Sequence, residues 1–197
     1  MVKEDLKSVI EKATVWSTAE SVRYKTPPLE GTKLAMTVGK RLAKKYKANE
    51  DVVTLGILLM DIKLGECLKE GKIGEHIQRS ADAARVFLQE NHVDEKTIQQ
   101  IVFCVKEHHG TKKYSCKESE IVANADCYKF AHPRGVFVAF DLFMERHHEI
   151  DKAITHVEAK LDEKFKILSL PECKKELTPH YNYFKKAIAE IKKEAKN

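Results

Sequence analysis

The sequence predicts an all-α protein folded as one domain, and three observations carry that prediction. Glycine and proline are sparse, eight and five among 197 residues, which leaves little punctuation for a fold of short strands and turns. Apolar residues recur at helical spacing through most of the chain, most cleanly at Ile150, Ile154, Val157, Leu161, Phe165 and Leu168. The length suits one domain, two at most, and residues 1–197 contain no stretch long or biased enough to act as a linker.

In chain order, Leu6, Val9/Ile10, Ala13 and Trp16 mark a first helix, stopped at Thr26-Pro27-Pro28. Leu34, Val38, Leu42 and Tyr46 mark the next. Residues 52–64 (VVTLGILLMDIKL) are nearly all apolar, so period cannot separate strand from helix. The length of the run and its helical neighbours favour a buried helix. Beyond the Gly71–Gly74 break, Ile77, Ser80/Ala81, Ala84 and Phe87/Leu88 form one stripe, and Ile98, Ile101/Val102 and Val105 another. Further breaks fall at Gly110–Ser115, at His132-Pro133-Arg134-Gly135 and at Ser169–Pro171. The stretch from Thr178 (PHYNYFKKAIAEIKKEAKN) reads as a final amphipathic helix. The sum is roughly eight or nine helices with short connections.

Composition excludes several classes of function. Thirty-five Lys and Arg against thirty Asp and Glu leave +5, too even a balance for a dedicated nucleic-acid binder. The Lys run of the last helix reads as a solvated face. No apolar run reaches the ~18–20 residues that a bilayer requires, and MVKEDLKSVIEKA lacks the apolar core of a signal peptide. The cysteines at 67, 104, 116, 127 and 173 are scattered, with no C-x-x-C pair, as suits a reducing cytoplasm. The expectation is a cytoplasmic protein with no membrane partner.

Candidate chemistry lies where titratable groups share a face with buried apolar ones. Asp61 follows Ile57 and Leu58 inside the most apolar segment, where an ionised carboxylate is costly unless paired or bound to a metal. His76 opens the helix that carries Ile77 and Ser80. His108 and His109 continue the Ile98–Val105 stripe, so at least one points inward. Asp126 lies four residues after Val122 on IVANADCYKFAH. Two Asp and three His on four helices, all facing a core, are how a helical bundle builds a metal site. Taken singly, each also fits a bland role as a capped or ion-paired core residue.

The order Asp61, His76, His108-His109, Asp126 resembles the HD superfamily of metal-dependent phosphohydrolases, a helical fold, over about residues 30–132. LGILLMDIKLGE is similar to the helix ending in that family's His-Asp doublet. HIQRSADAARVFL is similar to the helix opened by a His, IQQIVFCVKEHHG to the one ending in a His pair, and IVANADCYKF to the one bearing the last Asp. The resemblance implies an HD-like core at about 30–132, with an N-terminal helix and a C-terminal helical extension. It also has gaps: Met60 stands where the doublet has His, and Gly31 or Thr32 where the early His belongs. Of the four ligands of a single-metal site only Asp61 and Asp126 remain, and a Met60 thioether is a poor ligand for hard ions. The second-ion set is complete, with Asp61, His76, His108 and His109 all present. That donor set suits Fe, Mn, Zn or Ni.

On this reading the protein is a metal-dependent phosphohydrolase acting on a nucleotide or another small phosphate ester. Asp61, His76, His108, His109 and Asp126 are metal ligands; Asp61, Asp126 and His109 serve catalysis; His76 and Lys63 contact substrate. The alternative is a catalytically inactive HD-like module that binds a nucleotide or a protein and needs no metal. Lys63, Glu66 and Cys127 each also have a bland reading, as a helix-end Lys, a helix-end acid and a small core residue.

Overall fold

A computed structural model describes residues 5–194, and every regular element among them is helical. The helices are α1 (Leu6–Tyr24), α2 (Leu29–Tyr46), α3 (Glu50–Leu59), α4 (Leu64–Lys69), α5 (His76–Glu90), α6 (Glu95–Glu107), α7 (Lys117–Ala131), α8 (Pro133–His147), α9 (Ile150–Ile167) and α10 (Pro171–Glu194). A single 3₁₀ turn at Ile73–Glu75 leads into α5.

Side chains at helix entrances set several boundaries. Asp5 starts α1 by accepting from the Lys7 amide at 3.3 Å. Asn49 starts α3 by accepting from the Asp51 and Val52 amides at 3.0 and 3.2 Å. Asp94 starts α6 through the Thr97 amide at 3.1 Å. Each satisfies backbone donors that have no partner within the helix. Between α7 and α8 the chain breaks at His132, whose ring accepts from the Arg134 amide at 3.3 Å, and Pro133 then opens α8.

The helix α7 is the hub of the fold, packed by α2, α3, α6, α8, α9 and α10. Its sequence, KESEIVANADCYKFA, has no clean apolar stripe because twelve of its fifteen residues are buried. A helix buried on every side must satisfy its polar groups internally. Asn124 does so at the α9–α10 junction. Its amide donates to Ser169 Oγ at 2.8 Å and its carbonyl accepts from the Ser169 and Leu170 backbone at 3.2 and 3.1 Å. One apolar cluster runs from Val9 in α1 to Ile188 in α10, with α3 contributing nearly its whole length. Close approach there rests on Gly56: a Cβ would lie 2.6 Å from Cys104 Cβ and 3.1 Å from Val122 Cγ2.

Two boundaries differ from the sequence expectation. The helix read over 52–64 ends at Leu59, and Met60–Lys63 form a turn before α4. Asp61 therefore sits on a turn, held by Leu64 N to Asp61 O at 2.9 Å and by Lys63 N to Ser80 Oγ on α5 at 3.1 Å. Apolar character continued past the stop, so hydropathy alone could not mark it. The last helix starts at Pro171, seven residues before the expected Thr178, with Pro179 inside it. Residues 195–197 of the expected helix lie outside the described residues. No helix among the described residues is long and apolar enough to cross a membrane.

Candidate metal centre and its pocket

Four segments converge on one side of α7. Asp61 comes from the α3–α4 turn, His76 from the first residue of α5, His108 and His109 from the end of α6, and Asp126 from α7 itself. The end of α6 is fixed by Gly110, whose φ of 87° lies in the left-handed region that glycine tolerates best. A Cβ there would also press on Ile167 at 3.2 Å. The His pair is thus placed in the turn that closes α6, with His108 as its C-cap.

Three imidazoles form the centre. Each of His76, His108 and His109 offers a nitrogen, and the three nitrogens lie within 4.8 Å of one another. Two rings are oriented by backbone. His76 Nδ1 is 2.6 Å from Ile73 O, and His108 Nδ1 is 2.6 Å from Val105 O. A carbonyl only accepts, so both Nδ1 atoms carry the proton and both Nε2 lone pairs point the other way. There they meet Asp61 Oδ1, at 3.9 Å from His76 and 3.5 Å from His108. His109 is turned by Glu163 of α9, 3.4 Å from its Nδ1.

Burial lowers His76, and it pushes His109 down to about 3 with help from the Lys164 charge. Both rings are neutral at pH 7, the form that binds metals. His108 Nε2 is buried with no hydrogen-bond partner. His108 Nε2, 3.5 Å from Asp61 Oδ1, is thus a buried polar atom in need of a partner, and a cation held between the two would supply one. The cluster of His76, His108 and His109, with Asp61 Oδ1 beside it, is compatible with a bound divalent metal ion.

The other side of Asp61 is different. Lys129 Nζ lies 2.8 Å from Asp61 Oδ2 and 2.8 Å from Asp126 Oδ1, and Lys164 Nζ lies 2.7 Å from Asp126 Oδ2. All four side chains are buried or nearly so. Burial alone would raise both carboxyls. The Lys129 charge, joined by Lys164 at Asp126, outweighs it and holds both well below the usual range. Burial likewise opposes charge on Lys129 and Lys164, and the carboxylates outweigh it and raise both ammonium groups. Both oxygens of Asp126 are thus taken by ammonium groups. The Lys129 ammonium occupies the position between Asp61 and Asp126.

Over this centre opens a pocket of about 630 Å³, counting its mouth. Its floor includes Asp61, His76, His109, Asp126, Lys129 and Lys164. Its wall is apolar, with Leu64, Leu68, Phe130 and Phe143, and its rim carries Arg146, His156 and Lys160. Arg146 has no ion pair among the described residues and lies 5.6 Å over the Phe143 ring; His156 stacks on that ring at 3.8 Å. The Thr26-Pro27-Pro28 connection lines the pocket too.

All the sequence-derived ligand candidates meet here, but Lys63 does not. Its ammonium pairs with Glu66 at 2.8 Å, and the residue borders a separate hollow beside Trp16 and Phe87. The two lysines that matter most, Lys129 and Lys164, were not anticipated. The signal was present: Lys129 follows Asp126 by three on a helix, and Lys164 follows Leu161 by three on the cleanest apolar stripe. Charged residues in register with a buried face require partners.

No protein-family model matches the chain, and no curated protein is detectably similar in sequence. Solved structures are. An HD-superfamily hydrolase from Bacillus thuringiensis superposes with a TM-score of 0.66 at 16% identity, over 98% of this chain and 99% of that one. The chain has the HD-superfamily helical fold. A predicted HD superfamily hydrolase from an uncultured Thermotogales bacterium agrees, with a TM-score of 0.60 at 13% identity over 96% of this chain and 90% of that one. At these identities the likeness concerns the HD fold.

Proposed function

We propose that this HD-fold protein is a metal-dependent phosphohydrolase acting on a nucleotide or another small phosphate ester, in the cytoplasm. The observation that carries the reading is the buried, unpartnered Nε2 of His108 facing Asp61 Oδ1 at 3.5 Å, with His76 and His109 alongside. That arrangement calls for a cation, and Asp61, His76, His108 and His109 would hold it. When bound, such an ion polarises phosphoryl oxygens and lowers the pKa of a bound water.

The rest of the chemistry belongs to the chain. Arg146, His156 and Lys160 at the rim receive the anionic part of the substrate, and the apolar wall excludes bulk water. His109, neutral and oriented by Glu163, is available as a ligand, and with its pKa held at about 3 it takes up no proton near pH 7. Asp126, held deprotonated between two ammonium groups, anchors Lys129 and Lys164 and takes up no proton near pH 7.

The test is hydrolysis of a phosphate-ester panel by protein reconstituted separately with Fe, Mn, Zn and Ni. Turnover that falls at least ~100-fold in Asp61→Ala supports the reading. No turnover above the Asp61→Ala control with any of the four metals overturns it. The Lys129 ammonium between Asp61 and Asp126 favours a second reading, a non-catalytic module that binds a nucleotide or a protein. A nucleotide that raises the melting temperature without being hydrolysed identifies that case.

A further inference from the structure

Asp61 and Asp126 are buried carboxylates that share a single ammonium, 2.8 Å from an oxygen of each. Two dehydrated carboxylates so placed do not both stay ionised without a cation between them. The position is a cation site by its charge, and the chain supplies the cation itself. Lys129 follows Asp126 by three residues on α7, so its charge is tethered one helical turn from one of the carboxylates it serves. The lysine stem runs alongside α2, where a Cβ on Gly31 would lie 3.6 Å from Lys129 Cγ, an ordinary contact.

The remaining Asp126 oxygen is closed by Lys164 at 2.7 Å. Of the four carboxylate oxygens, only Asp61 Oδ1 lacks an ammonium, and it is the one that faces His76 and His108. The division is sharp, with ammonium on one side of Asp61 and imidazole on the other.

We propose that Lys129 is a built-in cation that closes the Asp61–Asp126 position to metal ions, so that the centre takes one divalent ion, on the imidazole side only. The statement goes beyond the hydrolase reading, because a non-catalytic module with this geometry would carry the same tethered cation. Lys129 is a positioning residue here, and its removal should exchange one cation for another.

Full-length protein is stripped with a chelator and titrated with Mn²⁺ alone, counting bound ions by elemental analysis, with stability followed by urea unfolding. Wild type and Lys129→Arg are expected to bind one Mn²⁺ per chain. Lys129→Ala is expected to unfold at lower urea in chelator, to recover most of that loss in Mn²⁺, and to bind one ion more than wild type. If Lys129→Ala does not fold in chelator, folding on addition of Mn²⁺ gives the same answer. Gly31→His/Lys129→Ala places an imidazole toward the vacated stem, and the added ion should bind at least tenfold tighter there.

Two ions in wild type, or a Lys129→Ala that matches wild type in stability and ion count, overturns the proposal. So does a Lys129→Ala that loses stability and recovers none of it in Mn²⁺. Wild type that binds one ion but hydrolyses no phosphate ester, beside a Lys129→Ala that gains one ion, removes the hydrolase reading and upholds the tethered cation; wild type with no ion overturns both.

Discussion

Replacing Asp126 with asparagine removes one charge from a buried group of four that is neutral as it stands, Asp61 and Asp126 against Lys129 and Lys164. Lys129 keeps Asp61. Lys164 keeps only Glu163, at 3.6 Å. Lys164 is then left with one distant, partly exposed carboxylate for its buried charge. Removing one partner of a buried ion pair costs about 3–5 kcal/mol, because the charge left behind is neither hydrated nor compensated. A unit pair at ~4 Å and an effective dielectric of ~20 gives about 4 kcal/mol, which agrees. At ~2–4 °C per kcal/mol for a chain of this size, Asp126→Asn should melt roughly 6–20 °C below wild type. The assay is thermal and urea unfolding in chelator, with Asp126→Asn/Lys164→Met as companion. The double variant should recover part of the loss, giving a coupling above ~1 kcal/mol between residues 126 and 164. An Asp126→Asn protein within about 1 kcal/mol of wild type would refute the argument that this network is sealed from water.

The histidines set a slope of stability with pH. Burial, aided by the Lys164 charge, holds His109 at about 3, and burial lowers His76, while an unfolded chain binds those protons near pH 6.5. As pH falls from 7.5 to 5 the unfolded state gains protons that the folded state does not, so the urea midpoint of chelated protein should drop. His109→Gln should flatten the slope, and a midpoint that rises toward pH 5 contradicts the assignment. Gly56→Ala, whose methyl would lie 2.6 Å from Cys104 Cβ, should cost about 1–3 kcal/mol by overpacking; an unchanged melting temperature would mean that α3 is not wedged against α6. Arg146→Ala should weaken binding of inorganic phosphate about tenfold through loss of a charged hydrogen bond. Lys63→Ala, which removes only its pair with Glu66, should leave phosphate binding unchanged, and equal effects of the two would misplace the anion site.

The helical fold was legible because it rests on periodic burial, which sequence spacing records directly. The stripes at Ser80–Leu88, Ile98–Val105 and Ile154–Leu161 face the core, while Ile77, expected on the first of them, is only partly buried. The convergence of Asp61, His76, His108 and His109 was legible for the same reason, since each continued or abutted an apolar stripe. What stayed hidden were properties of pairs distant in sequence. Nothing in residues 52–64 signals a turn at Met60–Lys63, because Met60 and Ile62 are buried in a turn as they would be in a helix. Nothing local to Lys129 says that its ammonium reaches Asp61, 68 positions earlier. Lys63 was given a substrate role for its nearness to Asp61 in sequence, but on the turn it faces a different hollow.

The most direct test of the central claim is anomalous diffraction from crystals of the full-length protein soaked in Mn²⁺. The account predicts one peak per chain, bounded by His76, His108, His109 and Asp61 Oδ1, with Lys129 still between Asp61 and Asp126. A peak between the two carboxylates with Lys129 swung aside, or no peak within reach of the three imidazoles, would contradict it.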